Sequence, residues 1–222
     1  MDLLEAAEAR HSVRKYTDKP IENEIAEELR KDTDLFSEKS GLDIKLILDE
    51  PKAFGGLMAK WGSFRNVKNY IMISGSASDS RLDEKAGYYG ERLVLKAQQL
   101  GLNTCWVCAT YNKKSCIVPA GERLVCVIAL GYGENQGVPH KNKAFREICH
   151  TNGYMPEWFR KGVECAALAP TAMNRQNFVV ILSDDNSRVE VQTGSGAYSQ
   201  IDKGIVELHF EIGTGKSFFG FQ

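Results

Sequence analysis

The chain is 222 residues long, with 28 Lys and Arg against 29 Asp and Glu and 43% hydrophobic residues. That apolar content at near-zero net charge excludes a disordered chain, and the charge balance argues against nucleic acid, whose binding domains carry a basic excess. The length suits one large domain or two small ones.

The N-terminus carries Asp2, Glu5 and Glu8 rather than an apolar leader stretch. The longest strictly apolar run, 124–130, is far short of the roughly 20 residues that span a bilayer. A cytoplasmic protein without a membrane partner is therefore expected. Its cysteines (Cys105, Cys108, Cys116, Cys126, Cys149 and Cys165) are then expected to be reduced thiols.

In chain order, a short helix is expected over residues 2–10, followed by the polar stretch RHSVRKY (10–16). Pro20 introduces a second helix over about 22–31. LDIKLIL (42–48) and YIMIS (70–74) read as strands. A long helix over about 85–100 stops at Gly101, and 104–110 reads as a short extended segment. LVCVIAL (124–130) is a buried strand ending at Gly131-Tyr132-Gly133, and the polar stretch 134–152 is expected to cross the surface. A proline-started helix occupies 156–168 and stops before Pro170. Strand 178–182 and a helix over 202–212, ending at Gly213 and Gly215, complete the chain.

The second half repeats the first. The offset that lays 44–48 on 178–182 also lays the helix around Leu29 on the helix around Val163 without a gap. GERLVLKAQQLG (90–101) then falls on GIVELHFEIGTG (204–215), the second copy being shorter by about the length of the excursion 51–69. Two readings fit this pattern: an internal duplication packed about a pseudo-twofold axis, or convergent helix–loop–strand patterning. A single domain over 1–222 is expected, with a first half of about 1–135 and a second of about 153–222.

Two segments carry candidate chemistry. In extended backbone Arg10, Ser12 and Arg14 point to one side, and two guanidinium forks with a hydroxyl suit a phosphate; the alternative is a solvated basic turn. In LAPTAMNRQ (168–176), Pro170 ends the helix, and Asn174 and Gln176 offer carboxamides that both donate and accept. Such groups suit the edge of a flat heterocycle, and an ordinary polar loop would carry them too.

Together these segments resemble the nitroreductase family. RHSVRKY is similar to its R-x-S-x-R-x-[FY] segment, and APTAMNRQNF to its A-P-S-x-x-N-x-Q-P-[WF] loop, with Thr171 for Ser and Asn177 for Pro. GERLVLKAQQLGLNTCWV resembles the family's central helix and following turn, and LVCVIALGYGE with PHKNK (139–143) its strand, glycine turn and basic tail. The order of motifs departs from the ordinary pattern, in which the proline–amide loop follows the second N-terminal helix. Here that place holds 34–40, without proline or amides, and the loop stands in the second half where the repeat offset puts it. The chain is thus similar to the internally duplicated, pseudo-dimeric branch, with one complete set of flavin motifs.

The resemblance implies an α+β fold, a mainly antiparallel sheet flanked by helices, built from two related halves. It also implies FMN, with Arg10, Ser12 and Arg14 on the phosphate and ribityl chain and Lys141 or Lys143 as a further phosphate partner. Thr171, Asn174 and Gln176 would meet the ring edge or the ribityl hydroxyls, and a backbone N–H near Cys108 or Ala109 would face flavin N5, where many members have glycine. A cation near N1 would be Arg14, with Arg65 or Lys68 as alternatives. The implied activity is an FMN-dependent NAD(P)H oxidoreductase reducing a small acceptor such as a nitro compound or quinone, with no catalytic side chain required. The alternatives are an FMN storage or sensor protein and a relic of the fold without flavin. A monomer that completes its own cleft is expected, a homodimer being the alternative.

Other motifs point elsewhere only weakly. Cys105-Trp106-Val107-Cys108 follows a helix C-terminus, the wrong end for a thioredoxin-like site, and zinc would need two further well-spaced ligands. GYGENQG (131–137) has its third glycine one place late for a dinucleotide fingerprint. His11, His140, His150 and His209 have no metal spacing and are expected at the surface or at caps. Trp61, Trp106 and Trp158 are expected in the core or at an interface.

Overall fold

The computed structural model describes residues 1–221, leaving out the side chain of Met58. α1 (Leu3–Ala9) opens on a reciprocal cap: Glu5 N–H donates to Asp2 Oδ1 at 2.9 Å and Asp2 N–H to Glu5 Oε2 at 2.8 Å. α2 spans Asn23–Ser40, well beyond the expected 31. Its buried residues Ala26, Leu29, Thr33, Phe36 and Ser40 keep a three-and-four spacing through the charged run 31–34, which hid the continuation. Gly41, at φ 72°, closes the helix and β1 (Leu42–Ile47) begins at the next residue.

α3 (Leu57–Trp61) is followed by β2 (Asn69–Ser76), α4 (Leu82–Gln99), β3 (Asn103–Val107) and β4 (Glu122–Gly131). These four strands form one antiparallel sheet in the order β1–β2–β4–β3. β4 is covered on both faces, which accounts for its unbroken apolar run: Cys126, Ile128 and Leu130 join the helical core, and Val127 and Ala129 a second core. That second core includes Ala53, Phe54 and Phe64, so the excursion 51–69 roofs the outer face of the sheet.

The stretch 134–152 is more than a surface crossing. It contains α5 (Phe145–Ile148), whose Ile148 is fully buried, and β5 (Cys149–His150), which pairs parallel with β6. α6 (Glu157–Ala166) leads by way of the 167–177 connection to β6 (Phe178–Leu182), and β7 (Val189–Thr193) returns antiparallel to it. β7 was not expected, although Val-Glu-Val-Gln-Thr alternates with Val189 and Val191 inward. α7 (Ser199–Thr214) starts a turn earlier than expected. The fold is therefore α+β and mainly antiparallel, with one parallel pair. Among the described residues no helix is long and apolar enough to cross a membrane.

Core residues from both halves fall into one cluster, from Leu29 and Ile73 to Val163, Phe178 and Val206. α4 and α7 cross in contact at two glycines. A Cβ on Gly87 would collide with the Ile201 carbonyl, and one on Gly204 with the Glu84 carbonyl. This reciprocity pairs Gly87 with Gly204, one helical turn away from the pairing by residues 90 and 204.

Candidate active site

After α1 the chain becomes extended and lies along the free edge of β3. Ser12 bridges Thr104, Val13 N–H donates to the Thr104 carbonyl at 2.9 Å, and Arg65 N–H donates to the Arg14 carbonyl at 2.9 Å. Alternation sends Val13 into the second core and leaves Arg10, Ser12 and Arg14 on the other side. These three line a lobe of about 420 Å³ together with His11, His140, Thr171 and Asn174. Among the described residues no carboxylate lines it. Burial, with Arg10 adding to it, pushes both imidazoles below their usual range, so the lobe's charge at neutral pH comes from the two guanidinium groups.

Ser12, Arg14, Pro170, Thr171 and Met173 also line a second lobe of about 450 Å³, so the two form one cleft. The second lobe is apolar: Phe64, Trp106, Val107, Met173, Ile201 and Ile205 form much of its wall. Cys108 and Ala109, just past β3, line it. The neighbouring Cys126 thiol draws the Cys108 thiol below its usual range. Asp202, on the first turn of α7, is the one carboxyl among the described residues lining either lobe. Its Oδ1 accepts the Ala172 N–H at 2.9 Å, and burial pushes its pKa up to about 6.

The loop between α6 and β6 is held in an uncommon conformation. Met173, Asn174 and Gln176 have φ of 55°, 51° and 47°, a region costing non-glycine residues about 1 kcal/mol or more each. The compensation is a clamp. Gln176 Nε2 donates to the Lys141 carbonyl at 2.7 Å and to Asn174 Oδ1 at 2.9 Å, and Gln176 Oε1 accepts the Lys143 N–H at 2.9 Å. Asn174 Nδ2 also donates to the Lys141 carbonyl at 3.0 Å, and Lys143 Nζ to the Gln176 carbonyl at 2.9 Å.

This changes the expected roles of four residues. Gln176 is buried with its amide committed to the clamp, and it lines neither lobe. Asn174 borders the polar lobe, but its amide is likewise engaged. Lys141 and Lys143 are exposed and line neither lobe; they anchor the loop through backbone groups and one ammonium. Arg65 pairs with Glu134 and Lys68 with Asp18, both outside the cleft, which leaves Arg14 as the cation at the junction of the lobes.

Beneath the cleft lies a buried polar cluster that the sequence did not reveal. Glu91, fully buried on α4, accepts Trp106 Nε1–H at 2.8 Å and lies 3.0 Å from His209 Nε2 and 3.8 Å from Arg10 Nε. His209 is thus a core residue rather than a surface one, because α7 packs that face on α4. Of the tryptophans, Trp106 forms cleft wall and Trp158 stacks on Phe218, whereas Trp61 is 83% exposed, contrary to the expectation of burial. Phe64, Tyr198, Ile201 and Asp202 are among the cleft residues that the sequence did not point to, whereas Trp106 adjoins the turn expected to face the ring. The only available signal was that 104–110 and the start of the last helix flank the recognised motifs.

A donor set of two guanidinium groups and a hydroxyl opening into an apolar slot fits a phosphate joined to a flat ring, as in FMN. Comparison with known proteins agrees with this architecture. The family model described as "Putative TM nitroreductase" matches residues 2–214. Among solved structures, the "putative nitroreductase" of Thermotoga maritima superposes with a TM-score of 0.68 at 20% identity, covering 96% of this chain and 83% of that one. An FMN-dependent nitroreductase of Clostridium difficile gives 0.55 at 21% identity, covering 67% of this chain and 98% of that one. A protein named as a "putative NADH oxidase" of Clostridium acetobutylicum gives 0.54 at 18% identity, covering 67% and 99%. No curated protein sequence matches the chain. These structural likenesses establish the shared fold, and the match of the family model over nearly the whole length establishes the lineage: the chain belongs to the nitroreductase family.

Proposed function

We propose that this chain is an FMN-dependent NAD(P)H oxidoreductase that reduces a small acceptor, a nitro compound or a quinone. The observation that carries this reading is the two-lobed cleft, with its dicationic end, lined by no carboxylate among the described residues, joined to an apolar slot at Ser12, Arg14 and Thr171. Arg10 and Arg14 would hold the phosphate by charge-assisted hydrogen bonds, with Ser12 and Thr171 beside the ribityl chain. The ring would lie in the slot against Trp106, Cys108 and Ala109. FMN supplies two-electron exchange between a dinucleotide and an acceptor; the protein supplies position and electrostatics. Arg14 stands where a cation favours negative charge on the polar edge of the ring. Glu91 balances and orients Arg10 from below, and the Gln176 clamp holds the loop that closes the slot. The names of the C. difficile and C. acetobutylicum relatives, FMN-dependent nitroreductase and NADH oxidase, support the cofactor and the donor.

One cleft per chain belongs to the same reading. Residue 23 of α2 and residue 157 of α6, where the helices begin, are related by the same offset as residues 44 and 178. With the reciprocal glycine crossing of α4 and α7, this supports an internal duplication working as a monomer. Six free thiols suit a reducing, cytoplasmic setting.

The test is anaerobic oxidation of NADH and of NADPH by FMN-loaded protein, with a nitroaromatic compound or a quinone as acceptor. Turnover with either donor is expected. A yellow protein without turnover would mean storage or sensing, and a protein that leaves FMN fluorescence unquenched would contradict flavin binding altogether.

A further inference from the structure

We propose that Asp202 is the proton donor of the cleft, the carboxyl that protonates the oxygen of a quinone acceptor as it is reduced. This rests on the oxidoreductase reading and goes beyond it, since that reading requires no side-chain acid. Among the described residues Asp202 is the one carboxyl on the cleft wall, and it makes no salt bridge. Its neighbour Lys203 turns away, to Glu84 Oε1 at 2.8 Å and Glu207 Oε1 at 3.5 Å. One carboxyl oxygen is fixed by the Ala172 N–H, which orients the group without giving it a cation.

The other titratable groups of the lobe are Tyr198, which caps α7 itself, Cys105 on β3 with Cys108 just past it, and Arg14 on the N-terminal segment. The loop 170–173 contributes no titratable side chain to the lobe, and Arg14 is the lobe's single permanent charge. A carboxyl half-buried among Ile201, Ile205 and Val107 therefore keeps its proton to higher pH than a solvated one. A raised pKa alone would not assign the role. Glu207 is pushed up further, to about 8, by burial and by the Glu84 carboxylate, but it lines neither lobe.

The chemistry balances as NAD(P)H + H⁺ + quinone → NAD(P)⁺ + hydroquinone. The dinucleotide provides two electrons and one proton. The second proton leaves the Asp202 carboxyl as its O–H bond breaks and an O–H bond forms on the acceptor oxygen, and the carboxylate regains a proton from water. An acceptor that takes up electrons alone, such as ferricyanide, makes no such demand.

The experiment compares wild type with Asp202→Asn, which retains an oxygen for the Ala172 N–H. FMN affinity, read by fluorescence quenching, should change by less than about threefold, since a neutral amide replaces a largely isosteric carboxyl. With FMN-loaded protein, kcat/KM for a quinone should fall about 100-fold, while ferricyanide reduction stays near wild type. In wild type the quinone kcat/KM should decline as pH rises through about 6, and this limb should vanish in the variant. Independently of turnover, NMR of ¹³Cγ-aspartate-labelled wild-type protein without FMN should show one aspartate titrating near 6, absent from Asp202→Asn. Equal losses with both acceptors, or aspartates that all titrate in the ordinary range, would overturn the proposal. If the variant does not fold, the wild-type titration and pH profile decide it. If the wild type binds no FMN, the oxidoreductase reading fails while the titration still reports on the carboxyl.

Discussion

The first helix–strand unit, α2 with β1, and the second, α6 with β6, begin in register and then part. α2 runs on to Ser40, and a single left-handed glycine, Gly41, drops the chain straight into β1. α6 ends at Ala166, and the residues equivalent to the last two turns of α2 instead form the loop bordering the cleft. The offset that relates the strands sets Pro170 opposite Phe36, which is buried in the helical core. A proline there lacks the N–H and clashes with the preceding turn, so the second helix cannot continue. One unit therefore uses these positions for packing and the other for the wall of the cleft, which fits the proposed reading of one cleft per chain.

The comparison breaks most sharply at the clamp. Gln176→Ala leaves the Lys143 N–H without its partner and the Lys141 carbonyl with Asn174 Nδ2 alone, and it loosens three residues held at positive φ. A loss of about 2–4 kcal/mol in chemical denaturation is expected, together with weakened FMN binding. Unchanged stability would mean that the loop does not depend on the clamp.

Next in size is Arg14→Ala. Arg14 is exposed at the junction of the lobes, so its removal should weaken FMN binding about 30- to 100-fold, the worth of a charged hydrogen-bonding partner, while leaving melting behaviour close to wild type. Near-wild-type affinity in a quenching titration would misplace the phosphate end.

Asp202 joins the second unit's loop to α7, and its effect on stability depends on pH. Its pKa is raised by burial to about 6 in the folded protein, against about 3.9 for an unfolded aspartate. The folded state holds the proton more tightly, so the contribution is fully present below about pH 4 and is lost as pH rises through about 6. Asp202→Asn removes that penalty. Allowing for solvent screening of a half-buried group, the variant should gain about 1–2 kcal/mol over wild type at pH 8, shrinking to nothing near pH 4. Thermal melts across that range check the sign.

The smallest effect expected is that of Pro170→Ala. The clamp and the Asp202–Ala172 hydrogen bond hold the loop after the helix has ended, so the change should cost less than about 1 kcal/mol and leave FMN affinity within about threefold. A large change would make the proline itself the chief determinant of the loop.

Some of this was legible in the sequence for local reasons. RHSVRKY follows a capped helix and has no helical periodicity, so its alternation put Arg10, Ser12 and Arg14 on one side, where the structure has them. The proline–amide loop was recognisable from its residues, but the role of Gln176 was not. Whether a carboxamide faces a ligand or the chain's own backbone depends on what lies opposite, and Lys141–Lys143 stands more than thirty residues away. The Glu91–His209–Arg10 cluster was hidden for the same reason, since its members come from α4, α7 and the N-terminal segment. β7 was missed because five residues next to an Asp–Asn–Ser turn give a weak alternating signal. α2 was cut short because a charged run outweighed a buried stripe that continued through it.

On the proposed reading each chain holds one phosphate in the lobe of Arg10 and Arg14, which no carboxylate lines among the described residues, and completes that lobe as a monomer. Titrating FMN into the protein while following quenching of its fluorescence, with molar mass measured by light scattering on the same sample, tests it most directly. Saturation at one FMN per chain in a particle of monomer mass is the expected result. No quenching, or binding that appears only in a dimer and is lost on dilution to monomer, would contradict it.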